Sequence, residues 1–473
     1  MKTASFAFIL LAFAGLGWAE DRPNIMLLMA DDQGYGDTGF AGHPFVKTPH
    51  LDAMAEEGVV FDRFYAAAPV CSPTRAAVMT GRHPFRVNVP NHGHYLRPDE
   101  TTIAEALRDA GYVTGHFGKW HIGSVQPDSP TSPGGAGFEE WYSALNFFDV
   151  DPFLSRNGVI ENPKGQGTVI SMDATLDFVE KHYDDDRPFF TVTWFPSPHG
   201  PFEEVPEGFP EAESIYTGEN GEAYYREITL IDQQLGRLRD RLRILGIADN
   251  TIVWYTSDNG GLQEASSGGR KKKGSIYEGG LRVPSILEWP GHLESRKINV
   301  PANSCDIYPT LVSIAGAEVE NQLALDGIDL SGVIEGQQSE RPSMGFWHGH
   351  TAGQSTRSDD IMKALMTAQQ AGDPTPFPER ILKNVEEFSS FTHGDYPGHA
   401  AWNDWPWKLH RIQDPKSGEV TVELYDLQQD PMEENNLASE DPDLASKMLE
   451  LLEGWQASVY DSWEGKDYLN ATP

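Results

Sequence analysis

Two pairs of oxygen-bearing side chains in this chain each follow a short apolar run. Asn24 to Met29 leads through Ala30 into Asp31-Asp32-Gln33-Gly34, and Ile252 to Thr256 leads through Ser257 into Asp258-Asn259-Gly260-Gly261. Asp31, Asp32, Asp258 and Asn259 offer hard oxygen donors, the kind that hold Ca2+ or Mg2+. No His or Cys joins them, which argues against zinc. Either pair alone also reads as a turn with a helix-capping Asp or Asn. Two in one chain, each behind an apolar strand, favour a metal site. Two further apolar runs end in groups that attract anions or move protons. Tyr112 to Phe117 precedes Gly118-Lys119-Trp120-His121, and Phe189 to Trp194 precedes Ser197-Pro198-His199-Gly200-Pro201. The run Arg270-Lys271-Lys272-Lys273 stands just ahead of Tyr277-Glu278-Gly279-Gly280. Basic runs are usually solvated loops, but in an acidic chain this one is a local exception.

A cysteine adds a nucleophile or its precursor. Cys71-Ser72-Pro73-Thr74-Arg75 opens an alanine-rich segment through Met79. Pro73 suits a first helical turn and the alanines propagate a helix. Cys71 then sits at a helix N-terminus, where free N–H groups favour anions and thiolates, with Arg75 adding a fixed positive charge. On these residues alone, a buried structural cysteine on a core helix is the weightier reading.

These groups need a scaffold that gathers strand ends. The runs Asn24–Met29, Tyr112–Phe117, Pro188–Trp194, Ile252–Thr256 and Val283–Glu288 read as strands. Helices are expected at Thr48–Glu57, Thr101–Ala110, Met172–His182, Glu222–Leu245 and Cys305–Ala315. In the longest, Ile228, Ile231, Leu235, Leu238, Leu242 and Leu245 repeat at three-four spacing and Gly246 ends it. Strands alternating with helices imply an α/β fold with a large, mostly parallel sheet, whose ligands bind outside the carboxyl ends of its strands. Gln337 to Gly398 reads as polar and irregular. Beyond it, Trp407–Ile412 and Val420–Leu427 resemble hairpin strands and Asp443–Leu452 a terminal helix. The expected division is a segment at 1–19, a catalytic domain at 20–336 and a smaller α+β domain at 337–473.

Cys71, Pro73 and Arg75 followed by Thr80-Gly81-Arg82 resemble the signature of the type I sulfatases, formylglycine-dependent members of the alkaline-phosphatase-like superfamily. The strand-end residues match that family in order over roughly 22 to 330, with a weaker likeness at Glu423-Leu424-Tyr425-Asp426-Leu427. The resemblance implies a sulfuric ester hydrolase in which Cys71 is converted to Cα-formylglycine by a formylglycine-generating or equivalent maturation enzyme. It implies Asp31, Asp32, Asp258 and Asn259 as ligands of Ca2+, with Mg2+ as the second choice. Arg75 and Lys119 then orient and neutralise the nucleophile, and His121 deprotonates the second hydroxyl of the hydrated aldehyde. His199 and Lys273 hold the sulfate and assist the leaving oxygen. Lys273 is chosen among the three lysines by its spacing to Tyr277-Glu278-Gly279-Gly280. Two other readings remain: a phosphate or phosphonate ester hydrolase of the same superfamily, and a non-catalytic carbohydrate-binding relative.

Composition bounds the setting. The chain has 473 residues, a net charge of −35 and two cysteines, Cys71 and Cys305. That charge repels nucleic acid, and two cysteines make no disulfide framework. Lys2, the apolar run Phe6–Leu16 and Gly17-Trp18-Ala19 read as a secretory signal. The apolar run is shorter than the about 18 residues of a membrane span. The expected mature protein is therefore exported, periplasmic or secreted, with no integral membrane segment. Phe346-Trp347-His348-Gly349-His350, Asn91-His92-Gly93-His94-Tyr95, Trp402, Trp405 and Trp407 either contact a sulfated sugar or are ordinary core and surface residues. His348 and His350 are the substrate contacts expected among them.

Overall fold

The computed structural model describes residues 22–202, 221–373 and 393–470, so the expected signal segment lies outside the described residues. Strand β1 (Asn24–Ala30) is buried along its whole length. Ile25, Leu27 and Met29 join one apolar cluster, while Met26, Leu28 and Ala30 join another on the opposite face. Such two-sided burial is what a parallel strand covered by helices on both faces requires.

After β1 come α1 (Pro49–Glu57), β2 (Val59–Phe61), β3 (Phe64–Tyr65), α2 (Cys71–Thr80), α3 (Ile103–Asp109), β4 (Val113–Lys119) and β5 (Glu140–Ala144). Next are β6 (Leu154–Arg156), β7 (Val159–Glu161), α4 (Gly167–His182), β8 (Phe189–Trp194), α5 (Gly221–Leu245) and β9 (Thr251–Ser257). Then follow α6 (Glu278–Leu281), β10 (Arg282–Val283), β11 (Ile286–Glu288), β12 (Arg296–Ile298), β13 (Ala302–Asn303), α7 (Ile307–Ile314) and α8 (Ser331–Ile334). One large sheet has the order β12-β2-β11-β9-β1-β8-β4-β5-β6-β7. Its centre, from β9 to β5, is parallel, whereas β11 and β6 run against their neighbours. The α/β class with a mixed, mostly parallel sheet is thus present.

The chain continues with β14 (Met344–His348), α9 (Ser358–Gln370), β15 (His399–Asp404), β16 (Trp407–Gln413), β17 (Val420–Asp426) and α10 (Pro442–Trp463). The four strands form an antiparallel sheet in sequence order. Leu409 and Leu424 from the sheet pack with Met448 and Leu452 of α10.

Several boundaries differ from expectation. Val283–Glu288 is not one strand: Pro284 lacks the N–H that a ladder needs, and β10 and β11 fall in different sheets. The segment 337–398 is not irregular throughout, since it holds β14 and α9; residues 374–392 of it lie outside the described residues. In α9 the side chains of Met362 and Leu365 join the main core. Gln369 accepts from Ile160 N (3.0 Å) and donates to Gly158 O (2.7 Å). Helix α4 starts earlier than expected because the Gln166 side chain caps Thr168 and Val169. The terminal helix runs on to Trp463, which is buried. Among the described residues, no helix is long and apolar enough to cross a membrane.

Candidate active site

Because β9, β1, β8 and β4 are parallel neighbours, the residues that follow them leave one edge of the sheet together. Backbone bonds stitch that edge: Asp31 N donates to Ser197 O (2.9 Å) and Asp258 N to Ala30 O (3.2 Å). Helix α2, buried at every position, starts at Cys71 and directs its N-terminus there. One oxygen each of Asp31 and Asp258 and the Cys71 sulfur lie within 4.8 Å of one another, as do ligand atoms of Asp31, Asp32 and His199.

Three carboxylates meet three cations. Lys119 Nζ donates to Asp31 Oδ2 (2.6 Å) and Lys273 Nζ pairs with Asp32 Oδ1 (2.5 Å). The Arg75 guanidinium binds Asp258 Oδ2 and also donates to Lys119 O (3.0 Å). Its carbon lies 5.0 Å from the centre of the Trp194 ring. Of the consecutive lysines, Lys271 and Lys272 are exposed and only Lys273 turns inward. Burial pushes the Asp31 and Asp32 carboxyls up, but the combined charges of Lys119, His199 and Arg75 at Asp31, and of Lys273, His199 and Lys119 at Asp32, hold both below the ordinary range. At Asp258, burial and the neighbouring Asp31 charge prevail over Arg75 and raise the pKa.

The donor set fits a hard divalent cation. Asp31 Oδ1 and Asn259 Oδ1 are buried and accept no hydrogen bond from any described residue. A buried acceptor left so is costly, and a cation bridging the four side chains would satisfy both. Asn259 Nδ2 donates to Asp32 Oδ1 (2.8 Å), which keeps the amide beside the carboxylates. Asp32 has φ 78°, a left-handed backbone uncommon for a residue with a side chain. Such strain collects where position matters.

His121, also left-handed at φ 61°, has both ring nitrogens buried without a hydrogen-bond partner among the described residues. Burial, reinforced by the Lys119 and Arg75 charges, holds its pKa well down, so the ring is neutral. His199 donates from Nδ1 to Gly200 O (2.5 Å), stacks on Phe147 (4.7 Å) and places Nε2 3.8 Å from Asp32 Oδ2. Burial raises the Cys71 pKa despite Lys119 and Lys273, so an unmodified thiol here is a poor nucleophile. The other cysteine, Cys305, is buried beside Ala67 and Ala77.

Beside this centre stand two loops. Asn91 Nδ2 donates to Thr351 O (2.8 Å), Gln354 N to His92 O (2.8 Å) and Gly93 N to Ser72 Oγ (3.2 Å). Gly93 is required here, because its φ is 79° and a Cβ would fall 2.0 Å from Gln354 O. Burial lowers the pKa of His92, and the nearby charges of Lys273, His94, Lys119 and His199 lower it further. Burial, with the charges of His350 and His92, pushes the His348 pKa down to about 4, while His350 is exposed. His92 comes from the Asn91–Tyr95 run and Phe147 from a segment with no motif. Phe346, Trp347, Trp402 and Trp407 pack in apolar clusters, and Trp405 lies under Arg63 (4.0 Å). A cleft of about 770 Å³ near Trp405 and Arg296 contains none of the carboxylates or histidines above.

Residues 23–317 match the family model described as Sulfatase. The chain is 33% identical over 392 residues to N-acetylgalactosamine-6-sulfatase of Sus scrofa, covering 72% of each chain. It is 35% identical over 381 residues to arylsulfatase A of Homo sapiens, covering 72% of this chain and 73% of the other. Its fold is similar to the crystal structure of Ps i-CgsB in complex with k-i-k-neocarrahexaose, with a TM-score of 0.74 and 25% identity over 96% of this chain and 98% of that one.

Proposed function

This chain belongs to the sulfatase family and is a sulfuric ester hydrolase, and from that premise we propose that it cleaves sulfate esters of a sulfated carbohydrate at the cluster around Cys71. The relatives that carry this reading include one named for a sulfated amino sugar and one solved with an oligosaccharide. The observation that carries the site is its charge balance. Asp31, Asp32 and Asp258 are offset by Arg75, Lys119 and Lys273, so a bound divalent cation makes the centre net positive.

A sulfate ester is itself an anion, and its nucleophile must approach against that charge. Formylglycine made from Cys71 supplies a two-hydroxyl nucleophile, and Ca2+ (or Mg2+) on Asp31, Asp32, Asp258 and Asn259 supplies positive charge to the sulfate oxygens. Lys119 and Arg75 hold the groups around position 71 and Lys273 faces the sulfate. His121, buried and neutral, takes the proton of the second hydroxyl at position 71 in this reading. His199, with Nδ1 committed to Gly200 O, has Nε2 left to exchange a proton with the departing oxygen. In this reading His92, His348 and His350 contact the sugar. Maturation of Cys71 by a formylglycine-generating or equivalent enzyme, and export to the periplasm or medium through the first 19 residues, complete the proposal.

The test is release of free sulfate from a panel of defined sulfated oligosaccharides, with aryl sulfate and aryl phosphate run in parallel. Sulfate from at least one sugar, and aryl sulfate preferred over phosphate, is the expected outcome. Preference for the phosphate would instead make the protein a phosphate or phosphonate ester hydrolase. Sugar binding by fully matured protein without turnover of any ester would leave only a binding role.

A further inference from the structure

The loop that presents Lys273 leaves Arg270 and returns at Glu278, closed at its neck by Gly279 N donating to Arg270 O (2.9 Å). Its middle is tied to the sheet edge through Lys273 N to Gly261 O (3.1 Å) and Gly274 N to Pro69 O (2.9 Å). Both ends are held from elsewhere, by one residue that lies past β17. Arg270 Nη1 donates to the backbone oxygen of Glu433 (2.8 Å), and Glu278 N donates to the Glu433 carboxylate at Oε2 (2.7 Å).

Glu433 is itself built in with unusual care. It is fully buried, and its backbone is left-handed at φ 54°. That conformation is strained for a residue with a side chain and persists only where surroundings impose it. Its Oε1 accepts from His410 Nε2 (2.8 Å) and pairs with Lys408 Nζ (3.1 Å). Lys408, also fully buried, bridges on to Glu278 Oε1 (2.8 Å), and Tyr65 OH donates to Glu278 Oε2 (3.0 Å). Two buried carboxylates thus share one lysine, and every one of their oxygens has a donor. Burying that much charge is weak support for stability, since apolar residues of similar size often do as well. What it supplies is a fixed geometry for both ends of one loop.

We propose that Glu433 is a positioning residue for Lys273: with Arg270, Glu278 and Lys408 it staples the loop so that the ammonium meets the substrate anion. The C-terminal sheet, which contributes Lys408 and His410 from β16, is then part of the sulfate site although neither residue touches substrate. This rests on the reading of Lys273 as a sulfate-binding group. A loop loosened by about 1 Å would cost on the order of tenfold to a hundredfold in rate.

A double-mutant cycle on the matured enzyme, corrected for folded fraction, tests it. Glu433→Gln keeps the size, removes the charge and turns one of the two accepting oxygens into an N–H donor facing either Glu278 N or Lys408 and His410, and is expected to lower kcat/KM by about tenfold or more. In a Lys273→Ala background the same change should cost less than about twofold, because the group it positions is gone. Arg270→Gln, on the solvent side of the same staple, takes its place in the cycle should Glu433→Gln not fold. Equal losses in both backgrounds, or wild-type rates in Glu433→Gln, would overturn the staple. Wild-type rates in Lys273→Ala would instead overturn the reading of Lys273 itself.

Discussion

Arg75 gives both Nε (3.0 Å) and Nη2 (2.7 Å) to the same carboxylate oxygen of Asp258. The other oxygen accepts from Asp32 N (3.1 Å), so Asp258 joins the helix that starts at Cys71 to the first strand's end. Both side chains are fully buried. One pair therefore links the start of the Cys71 helix to two of the candidate metal ligands.

Removing one partner of such a pair leaves the other charge buried and uncompensated. Arg75→Gln is expected to destabilise by about 3 kcal/mol or more and to abolish turnover. Denaturant unfolding together with an activity assay checks both. A variant as stable as the parent would show that Asp258 finds another partner.

Cys71 is the residue whose loss should stop chemistry while sparing the fold, because it is small and replaces no charge pair. Cys71→Ala should unfold near the parental temperature and release no sulfate. Mass spectrometry of the peptide spanning residue 71 from active enzyme should show an aldehyde in place of the thiol. Cys71→Ser should form a sulfate ester that has no internal route to release. Turnover by Cys71→Ala would end the formylglycine reading.

Metal binding should be visible without any assay of activity. A ligand that binds only the folded state raises its stability in proportion to the logarithm of its concentration. Calcium added to chelator-treated wild type is thus expected to raise Tm, and elemental analysis to find about one ion per chain. Asn259→Ala removes one oxygen donor without changing net charge and should shift the calcium dependence of Tm to at least about tenfold higher concentration. An unchanged calcium dependence would remove Asn259 from the ligand set.

The strand ends were legible because Asp31, Asp258, Lys119 and His199 each follow an apolar run that has no use for them. A parallel sheet turns four such coincidences along the chain into one place in space. Other features depend on contacts the sequence does not carry locally. Pro284 alone divides β10 from β11, and its effect is easily lost within an otherwise apolar run. In α9 only Ser358, Met362 and Leu365 are buried, too few to stand out in a polar stretch. Glu433 follows Asp430-Pro431 in what reads as a turn, and its partners come from residues 270, 278, 408 and 410. Only the fold shows that it matters.

The last prediction concerns the joint between the C-terminal helix and the sheet domain. Asp326 accepts from Arg86 Nε (2.8 Å), Arg86 Nη2 (3.1 Å), His83 N (2.6 Å) and Trp455 Nε1 (3.0 Å). Arg86 in turn reaches Ser458 O and Ser462 Oγ on α10, each at 2.8 Å. Burial opposes ionisation of Asp326, but Arg86 prevails and lowers its pKa from 3.8 to about 2. A carboxyl with a folded pKa below its unfolded one stabilises fully above the unfolded value, and that stabilisation fades as pH falls through the folded value. Asp326→Asn should therefore cost roughly 2 kcal/mol at pH 7. The gap between variant and wild type should shrink by about half near pH 3 and close below about pH 2. Denaturant unfolding of both proteins across that range measures it. A gap that stays constant with pH would mean that the clamp acts through its hydrogen bonds and packing rather than through the ionised carboxylate.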